Sequence, residues 1–243
     1  MITHEPIWTP RRKKLWTPKK KLWTASPSIQ SDYANSGTGS VTGAFPSNNK
    51  AKNTIVAVIV GNSTSATDPG NNGVISDTQN NVYTNLGHAF VTFSTVLVQF
   101  WVAYGIKAGA NSITVTGSLL GDGITLYYVE EPPSGGTRVS NITAQQYTTA
   151  STPTVSLAGT VSGDVTVGFG ICTSSAPTVT PGSFGTNSAF NLQNPFGNGQ
   201  LEDGYASGGN INANVTGSDN EWLMCALSMM PPGGANSVFY NTD

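Results

Sequence analysis

Residues 99–131, QFWVAYGIKAGANSITVTGSLLGDGITLYYVEE, constrain this chain more than any other stretch. They read as three strands in succession. Residues 100–104 are a compact aromatic run. In 112–116, Ile113 and Val115 share one face, and Ser112, Thr114 and Thr116 share the other. In 124–129, Ile124, Leu126 and Tyr128 share a face. Alternation with period two marks a strand with one side in a core and one in water. The separators are rich in Gly and Asn, which supply turn geometry at little steric cost. Nothing here has helical spacing, so an all-β sandwich is expected.

The same grammar continues on both sides. Residues 54–60, TIVAVIV, form a continuous apolar run of strand length and predict a central strand buried on both faces. Residues 33–45 have room for one short edge strand. Residues 74–86 read as strand, turn and strand, with the turn at 77–81. Residues 165–171 alternate, and 211–215 with 222–230 read as a closing hairpin. The two halves echo each other: GANSITVTGS at 109–118 answers GNINANVTGS at 209–218, and 54–60 answers 165–171. Without helices between them, both halves are expected to feed one sandwich. The division expected is an arm at 1–24, a linker with an edge strand at 25–50, a sandwich at 51–231 and a tail at 232–243.

The arm has its own character. It repeats IWTPRRKK, LWTPKKK and LWTA, so Trp8, Trp16 and Trp23 each follow an aliphatic residue and precede Thr. Pro10 and Pro18 keep it extended. Arg11, Arg12, Lys13, Lys14, Lys19, Lys20 and Lys21 give it seven of the chain's eleven cations against Glu5 alone. The remainder holds four basic and twelve acidic residues. Three readings compete: a solvated tail, a nucleic-acid arm using cations on phosphates and Trp on bases, and docking on a protein partner with Trp in pockets. Three tryptophans in so short a segment favour docking, and these ten residues are the candidate partner-binding set.

The chemistry-bearing patterns are few. One body histidine, His88, and no Gly-x-Ser-x-Gly give no basis for a Ser/His/Asp triad, and no phosphate loop, dinucleotide fingerprint or HExxH occurs. Adjacent Glu130 and Glu131 must point to opposite faces, so they cannot pair across a substrate, and they read as solvated rim charges. Glu202-Asp203 in a Gly-rich loop offers oxygen ligands but no calcium-loop pattern. Two acids from distant loops could still meet in space. Trp101 and Trp222 read as core. Cys172 and Cys225 read as a buried free pair, with a disulfide as the alternative and no metal set. Three Asn-x-Thr sequons read as chance. No cofactor and no metal is expected. Low charge with many polar turns, no apolar signal region and no membrane-length run suit a particle-surface protein released by lysis.

The string ISDTQNNVYTNLG, followed by an aromatic strand, IKAGANSITVTGS, LYYVEEPPSG and SGDVTVGFG, resembles a poorly characterised family of jelly-roll-like β-sandwich proteins of phage particles and bacterial surfaces. The likeness covers about residues 50–230. It departs from the family where Glu130-Glu131-Pro132 replaces Glu-Tyr. The arm resembles basic, aromatic-Pro repeats that open some phage structural proteins. The resemblance implies a jelly-roll-like antiparallel β-sandwich with an extended N-terminal arm, located in the virion. It implies a non-enzymatic structural or accessory role, such as capsid decoration, head fibre or host attachment. The implied partner of the arm is a capsid or other virion protein, and a surface glycan is the implied ligand of the sandwich loops. By analogy with viral sandwiches the chain would form a homotrimer. The alternatives are a coat protein with a genome-binding arm, which makes nucleic acid a less favoured partner, and a carbohydrate-binding adhesin. A polysaccharide depolymerase comes last, and no membrane partner is implied.

Overall fold

The apolar run at 54–60 sits at the centre of the molecule, buried on both faces as its composition requires. The computed structural model describes residues 29–36, 39–63, 68, 70, 73–92, 95–117, 120–145, 154–172, 180–181, 183–184, 188–189, 191–196, 199–206, 208–216 and 222–233. The first half contains β1 (Gln30–Ser36), β2 (Ser40–Ala44), β3 (Thr54–Ser63), β4 (Val74–Asp77), β5 (Thr84–Val91), β6 (Val96–Ala103), β7 (Ser112–Thr116) and β8 (Leu120–Glu131). The second contains β9 (Gly136–Gln145), β10 (Thr154–Thr160), β11 (Val165–Cys172), β12 (Thr180–Pro181), β13 (Ser183–Phe184), β14 (Ser188–Ala189), β15 (Asn191–Phe196), β16 (Gly199–Tyr205), β17 (Gly209–Thr216) and β18 (Trp222–Met230). Every pairing among these strands is antiparallel, and no helix occurs among the described residues.

The sheet orders repeat. The first half forms β1-β8-β3-β6-β5 and, over it, β2-β7-β4. The second forms β9-β18-β11-β16-β15 and β10-β17-β12. Strand for strand these are one winding used twice, the alternation between two sheets that defines a jelly roll. The all-β sandwich expected from sequence is present, but it is built as four layers rather than two. The two five-stranded sheets face each other in the middle. Val56, Val58, Phe100, Val102, Tyr127 and Val129 pack there against Val165, Val167, Phe169, Leu201, Leu223 and Leu227. Outside the first sheet, Ile55, Ala57, Ile59, Leu126 and Tyr128 pack on Val41, Ile113 and Val115. Outside the second, Trp222, Met224 and Ala226 pack on Val155, Leu157 and Ile211.

This layering corrects several local readings. Residues 33–45 yield two strands, β1 and β2. Strands β4 and β5 do not form a hairpin, since β4 pairs with β7 in the outer layer and β5 with β6 in the inner one. Strands β17 and β18 are likewise unpaired with each other. In each case the two strands read as a hairpin lie in different layers. Glu202 and Asp203 lie in β16, both buried, not in a loop. Glu130 and Glu131 do point to opposite faces, but both are fully buried, because each face of β8 is covered by another layer. Cys225 is a free thiol in the central core, where burial raises its pKa. The side chain of Cys172 is not among those described.

The duplication exposes one anomaly in the central seam. Glu131 pairs with Thr54, the first residue of β3, and Met229 pairs with Val165, the first residue of β11. Placing Thr54 on Val165 puts Glu131 where the second half has Met229. It also puts Asp203, the partner of Val167, where the first half has Val102, the partner of Val56. Each half thus places one carboxyl in the seam at a position where the other half has an apolar side chain. Neither Glu131 oxygen has a hydrogen-bond partner, and the Thr54 hydroxyl beside it has none. Burial first, then the charges of Asp203 and Glu130, hold the Glu131 carboxyl well above the usual range. The folded protein keeps a proton that the unfolded chain releases near about pH 4.3. Its stabilising effect is complete below that pH and is lost as the pH rises toward the folded-state pKa. Glu131→Met, which copies the second half, is expected to raise stability at neutral pH by more than about 1 kcal/mol and to flatten the pH dependence above about pH 5. Chemical denaturation at several pH values measures both, and an unchanged slope in the variant would contradict the assignment.

Candidate functional site

One end of the first half departs from the duplicated plan. In the second half, β10 joins β11 through residues 161–164, and β16 joins β17 through 206–208. The corresponding connections in the first half run through 45–53 and 104–111, each more than twice as long. These two loops zip together. Phe45 N–H donates to Asn111 O at 3.0 Å, Asn49 and Gly109 exchange bonds at 2.9 and 3.1 Å, Lys52 N–H reaches Ile106 O at 2.8 Å, and Ile106 N–H reaches Asn53 O at 3.0 Å. Where the first loop begins, Tyr128 donates its hydroxyl to Ala44 O at 2.9 Å, and its ring meets Phe45 edge-on. Gly43 is required there, because a Cβ would lie 2.6 Å from the Tyr128 ring.

Two buried carboxylates hold the tip from beneath. Glu130 accepts from Asn49 Nδ2 at 2.7 Å, Lys50 N–H at 2.8 Å, Asn53 Nδ2 at 2.5 Å and Gln30 Nε2. Asp77 accepts from the backbone N–H and side-chain amide of Asn81, at 2.9 and 2.7 Å. It also accepts from the Tyr83 hydroxyl at 2.9 Å and Asn111 Nδ2 at 3.0 Å. Burial opposes the charge on Asp77, but these hydrogen bonds outweigh it and leave the carboxyl below its usual range. The string Asp77-Thr-Gln-Asn80-Asn81-Val-Tyr83 therefore has a physical meaning. Its first residue accepts from Asn81, Tyr83 and Asn111, so one acid joins the 78–83 turn to the β6–β7 loop. The second half uses the same device at a different position: Asp164 accepts from Arg138 Nε at 2.5 Å, Ser228 Oγ at 2.9 Å and Val161 N–H at 3.0 Å.

Above this base lies a notch of about 460 Å3, lined by Phe45, Ser47, Asn48, Thr78, Asn111 and Ser112 among others, with no charged side chain in its wall. The same two loops carry Lys50, Lys52 and Lys107, all exposed. With Arg138, which is bound to Asp164, these are the four cations of the body, and the three that make no ion pair among the described residues all lie on this tip. Sequence reasoning missed them. The available signal was the confinement of three of four body cations to two Asn-rich loops.

The other candidates fall out differently. Trp8, Arg11, Arg12, Lys13, Lys14, Trp16, Lys19, Lys20, Lys21 and Trp23 all lie outside the described residues. His88 is in β5, with Nε2 3.1 Å from Asp68. Trp222 is wholly buried, and Trp101 packs against the outer core of the first half. Among the described residues, no three His, Cys, Asp or Glu side chains converge as a metal site. The chain matches no protein-family model, no curated protein and no solved structure.

Glu130→Ala would leave two buried side-chain amides and the Lys50 N–H without an acceptor. It is expected to cost about 3 kcal/mol of stability in chemical denaturation. A loss under about 1 kcal/mol would mean that the loop does not depend on this carboxylate.

Proposed function

We propose that this is a non-enzymatic phage virion accessory protein, of the decoration or head-fibre type. Residues 1–24 dock it on another virion protein, and the jelly-roll body projects outward with its loop tip free for a surface glycan. The observation that carries the reading is where the acids lie. The arm has seven cations, and the body has twelve acidic residues that would be its nearest counter-charges. At least six of those, Asp77, Glu130, Glu131, Asp164, Glu202 and Asp203, are buried. At least half of the body's acidity is thus internal, which reduces the acidic surface that it offers the arm. The three Ile/Leu-Trp-Thr units call for pockets, and the cations between them for an acidic rim, so both requirements point to a separate protein partner.

Cosedimentation of full-length protein and of a form lacking residues 1–24 tests this. With intact particles, binding is expected to disappear when the arm is removed. With double-stranded DNA, binding is expected to be weak in both forms. Strong, steeply salt-dependent DNA binding that requires the arm would replace this reading with that of a coat protein whose arm faces the genome. Particle binding that survives arm removal would contradict the anchoring role.

A further inference from the structure

We propose that the tip built by residues 45–53, 77–83 and 104–111 is a binding site for an anionic glycan, with Lys50, Lys52 and Lys107 engaging carboxylate groups along the sugar chain and the neutral notch taking a sugar ring. This rests on the reading above that the body's loops meet a glycan, and it names the class. Four observations converge on it.

The first is the asymmetry of the duplication. The second half closes the same two connections with residues 161–164 and 206–208, so the fold does not need the longer loops. Extended loops on a rigid scaffold are where binding residues are commonly placed. The second is charge. The three body lysines stand on these loops and make no ion pair among the described residues, Lys107 Nζ donating to Asn80 O at 3.4 Å, while Glu130 and Asp77 beneath them are spent on hydrogen bonds to the loop backbone and amides. The third is strain. Lys52 has φ 71° and Asn80 φ 53°, two of the three non-glycine residues in the left-handed region among those described. A lysine there costs free energy that glycine would avoid, and such strain gathers at functional sites. The fourth is rigidity. The cross-loop ladder and the Lys107 N–H to Asn81 Oδ1 bond at 2.9 Å fix the tip before any ligand arrives, which lowers the entropy cost of binding.

The lining chooses among anions. Hydroxyl and amide groups such as Ser47, Asn48, Thr78 and Ser112 suit sugar hydroxyls, and the notch falls in the size range of small-ligand sites. Val82, 83% exposed beside Asn81, gives an apolar surface for the C–H face of a ring. Nucleic acid fits less well. Phe45 is buried and Tyr83 has its hydroxyl on Asp77, so neither ring is free for a base, and three lysines without arginine neutralise few phosphates.

The test uses the full chain and a short oligogalacturonate, alongside its carboxyl-reduced neutral counterpart. The basic arm is retained in every protein, so its background is common to all. Wild type is expected to bind the acidic oligomer better than the reduced one. Lys50→Gln/Lys52→Gln/Lys107→Gln is expected to weaken that binding by about tenfold or more, with an unchanged thermal midpoint because all three side chains are exposed. Equal binding by the triple variant would overturn the site and assign polyanion binding to the arm, leaving the docking reading untouched. Equal binding of both oligomers would overturn the anionic class while keeping a glycan ligand. Binding of neither would overturn the proposal.

Discussion

Everything in this molecule hangs on the dry seam between its two five-stranded sheets. Each sheet would, alone, be an ordinary jelly-roll sheet with a covered and an uncovered face. Here the uncovered faces meet, and β3 and β11 become buried on both sides. The edges follow, with β1 meeting β15 and β5 meeting β9. The Tyr127 ring crosses the seam to Phe169 at 4.8 Å, and Gly199 leaves room for its hydroxyl. Two copies of one winding are thereby made into one body with a shared core, which a single copy could not bury.

Duplication also frees one copy to diverge. The second half keeps tight connections. The first lengthens two of them and must then satisfy the polar backbone it has added. It does so with buried carboxylates under the loops rather than with more apolar core. Glu130 and Asp77 in the first half, and Asp164 in the second, are the same solution placed at different points of the winding. Three of the body's twelve acids have this architectural role and at least six are buried, so the net negative charge of the body overstates the acidity of its surface.

Strand identity was legible in the sequence because a strand's period is local. TIVAVIV at 54–60 gave the central strand, and Asp77 to Tyr83 gave the turn. Layer identity was not legible. Whether the chain after Asp77 returns along β4 or crosses to another sheet depends on contacts with β6 and β7, far away in sequence. The readings of 74–86 and 211–230 as hairpins failed for that reason. Glu130 and Glu131 failed for a related one: alternation placed them on opposite faces but could not reveal that a further layer covers each face. The echo between 109–118 and 209–218 was visible, and its consequence, two jelly rolls instead of one, needed the sheet orders. The lysine tip was missed because its meaning lies in the comparison of loop lengths between halves.

Native-state hydrogen exchange on the full-length protein tests the shared seam most directly. Amides of β3 and β11 are expected to exchange only through global unfolding, at the same free energy, because neither half keeps its core when the other opens. Exchange of one central strand at a markedly lower free energy than the other would contradict this, and would mean that the halves fold as separate units.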